Sequence, residues 1–204
     1  SKTEIDKYYT IKAAKRTEIK IKGSKFIGSA IPVNTKEEAL NKLQDIRSEF
    51  YDATHNCFAW QIGHDKNDFR FSDDGEPSGS AGKPILQAIE KFNISNVLVV
   101  VTRFFGGTKL GVGGLIRAYS RSTEDVLEHC EIKTIHRTVP VKITCKYDEI
   151  SAVKRLTDEF AVKFEEEYTD EVNFTVQIHQ SKVDRFVDNI VQATFGKAQV
   201  NVEL

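Results

Sequence analysis

The rhythm of hydrophobic and polar positions changes several times along the chain, and each change predicts an element. Across residues 17–33 the apolar positions Ile19 and Ile21, then Phe26, Ile27, Ile31 and Val33, alternate in part around Gly23-Ser24. That pattern predicts a β-hairpin turning at Gly23-Ser24, with Pro32 near its end. Thr35 and Glu38 stand at capping-box spacing and open a helix that carries Ala39, Leu40, Leu43, Ile46 and Phe50 on one face. Residues 56–62 read as a strand, and residues 84–92 as a helix with Pro84 in its first turn, where a missing N–H costs nothing. The unbroken apolar run 97–101 predicts a strand covered on both faces, and a helix follows over residues 115–129.

From Arg137 onward the rhythm restarts more cleanly: strand 139–145, helix 149–160, strand 162–168, a Thr169-Asp170 turn and strand 172–179. A helix over 182–195, capped by Ser181 with Asp184 and ended by Gly196, leads into a last strand at 198–203. This βαββαβ order is the ferredoxin-like split motif. The pattern therefore predicts an α+β chain of two domains, 1–136 and 137–204.

Composition narrows the class. At 204 residues, 40% hydrophobic and 29% charged, the chain has the make-up of a globular protein. A net charge of −1 excludes a binder that works by bulk positive charge, but not a local basic patch. The three cysteines, Cys57, Cys130 and Cys145, are far apart and form no CxxC, which excludes a disulfide framework or a zinc ribbon and predicts buried free thiols. With no long apolar run and no leader pattern, the expected location is the cytoplasm, with no membrane contact.

Candidate chemistry concentrates between Phe71 and Ser122. An acidic turn, Ser72-Asp73-Asp74-Gly75-Glu76-Pro77, runs through Ser78-Gly79-Ser80-Ala81-Gly82-Lys83 into the predicted helix. A glycine loop, Gly106-Gly107-Thr108-Lys109-Leu110-Gly111-Val112-Gly113-Gly114, lies between the buried strand and the next helix. Residues 102–121 carry Arg103, Lys109, Arg117 and Arg121 and no Asp or Glu. Strand, glycine loop and helix start together make an anion site, because free N–H groups and the positive helix end converge. The P-loop pattern fails, since Gly111 is followed by Val112-Gly113, and the dinucleotide fingerprint also fits poorly. A tight loop required only for packing remains the competing reading.

Three carboxylates within four residues suit a divalent cation or an acid–base pair, and equally an Asx-turn surface loop. Asp73 or Glu76 pairing with Arg103 or Lys109 is a further option. The candidate ligand-binding set is Asp73, Asp74, Gly75, Glu76, Gly82, Lys83, Arg103, Gly106, Gly107, Lys109, Gly111, Gly113, Gly114 and Arg117. No residue is assigned as catalytic or as a metal ligand, and no cofactor is expected. His55 and Cys57 share a strand face, but a nucleophile pair also needs a third, orienting group. Trp60 reads as core, and Glu165-Glu166-Glu167 as a solvated strand end.

Residues 72–84 and 99–119 closely resemble the signature of the YigZ/IMPACT family. Ala53-Thr54-His55-Asn56-Cys57 is similar to that family's His-containing strand, with Asn56 where a second His is common. The resemblance covers the whole chain as a bacterial-type two-domain member. It implies an N-terminal domain similar to the second domain of ribosomal protein S-five, and a C-terminal domain like a late domain of elongation factor G. It also implies a translation-linked regulatory or binding protein that contacts RNA, the ribosome or another anionic ligand through its glycine-rich loops. A metal-assisted enzyme on a phosphorylated or nucleotide-like small molecule, and a protein–protein regulator, are the alternatives. The expectation leans away from an enzyme.

Overall fold

The computed structural model describes residues 6–203. Its elements in chain order are β1 (Lys7–Ile11), β2 (Lys15–Ile21), β3 (Ser24–Pro32), α1 (Lys36–Glu49), β4 (His55–Ile62), β5 (Asp68–Ser72), α2 (Gly82–Lys91), β6 (Val97–Phe104) and α3 (Gly111–Glu128). They continue with β7 (Ile132–His136), β8 (Thr138–Cys145), α4 (Ile150–Phe160), β9 (Ala161–Tyr168), β10 (Val172–His179), α5 (Val183–Ala193) and β11 (Gln199–Val202). Two compact units result, one of residues 9–134, the other of 6–8 with 135–203. Strands β1 and β7 pair as a separate two-stranded sheet. Among the described residues no helix is long and apolar enough to cross a membrane.

The larger unit is built on a five-stranded antiparallel sheet of order β2-β3-β6-β4-β5. Central β6 alternates its side chains into two cores. Val97, Val99 and Val101 pack with Phe26, Cys57 and Ala59 under Ile85 and Ile89 of α2 and Leu115, Ala118 and Tyr119 of α3. Leu98 and Val100 pack with Phe58 and Trp60 against Ala39, Leu43 and Ile46 of α1. Each Val, Leu, Ile or Phe among them taken fully from water is worth roughly 1.5–3 kcal/mol. The unbroken apolar run 97–101 is what a doubly covered strand requires.

The cap of α1 is present in modified form. Glu38 N–H donates to the Thr35 hydroxyl, while the Glu38 carboxylate receives the N–H of Asn34 rather than that of Thr35. The β2–β3 turn is centred one residue earlier than Gly23-Ser24. Lys22 and Gly23 both have positive φ (48° and 80°), as a two-residue hairpin turn of this hand demands. That frees Ser24, which is buried, to bond the glycine loop. Helix α3 begins at Gly111, not at 115, so three glycines occupy its first turn. Glycine costs about 1 kcal/mol per helical position. The buried face running from Leu115 to Leu127 offsets that cost.

In the smaller unit the sheet order is β11-β8-β10-β9, all antiparallel, the arrangement of the split βαβ motif. Along β10, Val172, Phe174, Val176 and Ile178 are buried with Val153 and Phe160 of α4 and Phe186 and Ile190 of α5. The expected Ser181–Asp184 cap of the last helix does not form. A short 3-10 turn at Gln180–Lys182 precedes α5, and Ser181 gives both its N–H and its hydroxyl to the Asp6 carboxylate. Gly196 does close the helix region, with φ 73° and its N–H on the Val191 carbonyl.

Candidate functional site

Both sequence-selected loops lie on the larger unit, and the structure gives their residues different tasks. Asp73 follows β5, and its carboxylate accepts the N–H groups of Gly79, Ala81 and Gly82 at 2.9, 3.1 and 2.8 Å. The start of α2 is thus already occupied by an anion supplied from within. Asp74, with φ 43°, accepts the Asn56 N–H at 2.7 Å and lies 4.0 Å from Arg47. Gly82 is fixed by space, since a Cβ there would fall 2.6 Å from the Ser72 backbone nitrogen. Lys83 is exposed on the first turn of α2.

Glu76 turns inward. Its side chain is 1% exposed and meets Arg103, 8% exposed, at 2.7 Å. The same Oε1 lies 3.1 Å from His55 Nε2, while His55 Nδ1 lies 2.7 Å from the Asp74 carbonyl oxygen. A carbonyl oxygen only accepts, so Nδ1 carries a proton. Nε2 faces a carboxylate oxygen, so both ring nitrogens of His55 lie against oxygen atoms of the first loop. Arg103 also reaches the Ser24 hydroxyl at 3.4 Å, and its guanidinium stands 5.5 Å from the Phe105 ring centre. Sequence reasoning offered Glu76 with Arg103 as one of several possible pairings; the structure forms that one and buries both partners.

Gly106 passes against the β2–β3 turn so closely that a Cβ would lie 2.0 Å from the Gly23 carbonyl carbon. Its N–H donates to Ser24 Oγ at 3.2 Å. Gly107 and Gly111 have positive φ and open space where a side chain would project. Lys109 is exposed, and no side chain caps the start of α3, whose first turn holds no acid. Gly113 and Gly114 lie in that first turn, with the Arg117 guanidinium folded back toward Gly113.

The two loops converge on a cavity of about 390 Å3. Glu76 and Pro77 line it from the first loop, Thr54 and His55 from the start of β4, and Arg103 and Phe105 from the end of β6. Lys109, Leu110, Gly111, Val112 and Leu115 close it from the second loop and α3. Arg117 is not among its walls; it lines two neighbouring grooves, one beside Lys22 and one along α3 with Glu124 and Glu128. Of the sequence-selected residues, Glu76, Arg103, Lys109 and Gly111 share the cavity, while Asp73, Gly82 and Gly106 shape the backbone around it. His55 is the polar wall residue that residue-type reasoning left out. The sequence reading weighs it only with Cys57 and in the stretch similar to the family's His-containing strand.

His55 and Cys57 do not form a nucleophile pair. Cys57 is fully buried and donates to the Asp73 carbonyl at 3.0 Å, away from the His55 ring contacts. Burial pushes its thiol well above the ordinary range, the Tyr119 hydroxyl lowers it in part, and nearby carboxylates raise it further. Trp60 is core, stacked on Phe58 at 5.6 Å. Among the described residues no group of three or more His, Cys, Asp and Glu is placed to hold a metal ion.

Sequence comparison places this site within a known domain. Residues 22–127 match the model of the Impact N-terminal domain, and residues 143–197 match a domain of unknown function (DUF1949). The chain belongs to the IMPACT family. The IMPACT family member YvyE of Bacillus subtilis is 34% identical over 95% of this chain and 89% of that one. YigZ of Escherichia coli is 31% identical over 88% of this chain and 90% of its own. Protein IMPACT of Oryctolagus cuniculus is 36% identical over 43% of this chain and 29% of its own length, so with it only part of the IMPACT architecture is shared. A crystal structure described as that of a hypothetical protein superposes with a TM-score of 0.65 at 28% identity, covering 96% of both chains. Every wall residue of the cavity falls inside the Impact N-terminal match.

Proposed function

We propose that this IMPACT-family chain is a translation-linked regulatory or binding protein that contacts RNA, as free RNA or on the ribosome, at the mouth formed by its two glycine loops. One observation carries the reading: the start of α3 is uncapped and acid-free, opens onto a cavity and has Lys109 beside it. A helix start of this kind is an anion site, and phosphate is the anion an RNA partner presents. The translation link draws on the family, which includes eukaryotic proteins named IMPACT. It also draws on what the family resemblance implies: a larger unit similar to the second domain of ribosomal protein S-five, and a smaller one like a late domain of elongation factor G. The open face of the smaller unit's sheet favours the larger unit as the contact. That face carries Asn173, Thr175 and Gln177, without the exposed aromatics that a base-stacking sheet uses.

The test is fluorescence anisotropy with a structured RNA across a salt series. Affinity falls with salt as phosphate contacts release counterions. Lys109→Glu weakens binding whatever the RNA sequence, and Arg117→Glu, measured separately, reports whether the neighbouring grooves take part. Affinity unchanged by Lys109→Glu would sink the reading.

A further inference from the structure

Between the β2–β3 turn and α3 lies a groove of about 320 Å3 that shares Leu110 with the cavity. Its cations are Lys22 from the turn and Arg117 and Arg121 from the helix, set over Ile21, Leu110 and Ala118, and no acid stands among its walls. The larger unit, residues 9–134, has six arginines, Arg16, Arg47, Arg70, Arg103, Arg117 and Arg121. Arg16 pairs with Glu49, Arg47 with Asp74 and Arg103 with Glu76, while Arg70 lies over the rings of Phe58 and Trp60. Among the described residues Arg117 and Arg121 meet no carboxylate or ring, and both stand on this one groove. Lys22, exposed and held at φ 48°, forms no ion pair there either. Glu124 and Asp125 stand at pairing distance from Arg121 along the helix, yet Glu124 goes to Lys91 of α2 at 3.1 Å and Asp125 pairs with neither arginine. Arg117 and Arg121 are four residues apart, a like-charge spacing that costs helix stability. The Arg117 guanidinium also folds back over Gly113, into the first turn, where the helix is already positive. Folding gains nothing from crowding three cations in one groove; a partner that repeats negative charge relieves it.

We infer that this groove carries the sugar–phosphate backbone of an RNA strand onward from Lys109, with one phosphate at each of Lys22, Arg117 and Arg121. The inference rests on the RNA contact proposed at the two loops, which the groove continues past Leu110. An RNA backbone repeats its charge at every nucleotide, as a row of cations requires, and the planar fork of arginine grips a phosphate through two N–H groups. Apart from the three cations the groove walls are Ile21, Leu110, Gly114 and Ala118, with no polar side chain to read a base edge, so the contact is indifferent to sequence. An acidic protein segment carries the same sign of charge, and the experiment separates the two.

Binding of the full chain to an unstructured single-stranded RNA is measured by anisotropy across a salt series, with poly-glutamate of equal charge as competitor. Each phosphate contact of a single strand contributes about 0.7 to the slope of log K against log salt. Lys22→Gln, Arg117→Gln and Arg121→Gln, all at exposed positions where the fold tolerates them, each lower that slope by about 0.7. The triple variant lowers it by about 2, alike for every RNA sequence. Arg155→Gln, at an exposed arginine of the smaller unit, leaves it unchanged. Poly-glutamate displaces the RNA only in large excess.

A slope unchanged in the three groove variants but lowered by Lys109→Glu overturns the groove and leaves the loop contact standing. A slope lowered by the groove variants and not by Lys109→Glu keeps the groove and removes the loop contact. If no RNA binds at low salt, both fall. Poly-glutamate that competes as well as RNA of equal charge overturns the RNA assignment and makes the groove a site for an acidic protein segment.

Discussion

The starts of α2 and α3 pose the same backbone problem and meet it in opposite ways. Each begins with glycine beside the end of a strand or loop, and each turns unpaired N–H groups outward. At α2 the Asp73 carboxylate reaches forward to accept the N–H groups of Ala81 and Gly82, and that of Gly79 just ahead of the helix. At α3 no side chain does so, although Lys109 adds positive charge there. The smaller unit offers a third case. Just ahead of α5, Ser181 is bonded by the carboxylate of Asp6, 175 residues away in sequence. Asp73 thus fills the start of α2 and Asp6 ties the turn before α5, whereas no side chain caps the start of α3.

The largest effect comes from the buried pair beside the first loop. Glu76→Ala leaves Arg103 buried and unpaired, and the loss expected is about 3–5 kcal/mol in urea unfolding. The double variant Glu76→Leu, Arg103→Met recovers most of it, because no charge is then stranded. A Glu76→Ala protein as stable as the parent would show that the pair is not as isolated from water as its burial implies. Next in size, Asp73→Ala opens α2 to resemble α3 and costs about 2 kcal/mol, the upper end for a lost cap. For a chain of this length that lowers Tm by roughly 4–8 °C, read by calorimetry.

The smallest effect separates the third helix start by pH. Burial by itself would raise the Asp6 carboxyl, but its bonds from Ser181, with help from His179 and Lys182, hold it below the usual carboxylate value of 3.8. A carboxyl depressed in the folded state contributes stability that is complete above its unfolded value and lost as pH falls through the folded one. Asp6→Asn therefore costs about 1 kcal/mol at pH 7, the size of a typical cap. The difference between variant and parent shrinks below pH 3.8 as the parent's own carboxyl takes up its proton. Denaturant midpoints from neutral to strongly acid pH provide the check. A difference that stays constant through that window would detach Ser181 from the Asp6 charge.

Much of this architecture is local and legible in the chain. The ferredoxin-like order after Arg137, the doubly covered strand β6 and the apolar face of α1 follow from periodicity, which neighbouring residues set without help from distant ones. The converging loops are visible as composition, with glycine and one sign of charge close together. Which charges meet is not legible. Arg103 resembles Lys109 in sequence, yet β6 carries it inward to Glu76 while the loop carries Lys109 outward. Helix α3 starts four residues before its predicted position because glycine argues against helix locally, and the burial of Leu115, Tyr119 and Val126 argues for it globally. Ser181 stands at capping spacing from Asp184, three residues on, yet it bonds Asp6 instead. Pattern and motif thus determined the elements, their order and the neighbourhood of the site. Tertiary structure decided the pairings, the cavity and which helix start stays open, since these depend on distances between residues that sequence separation does not encode.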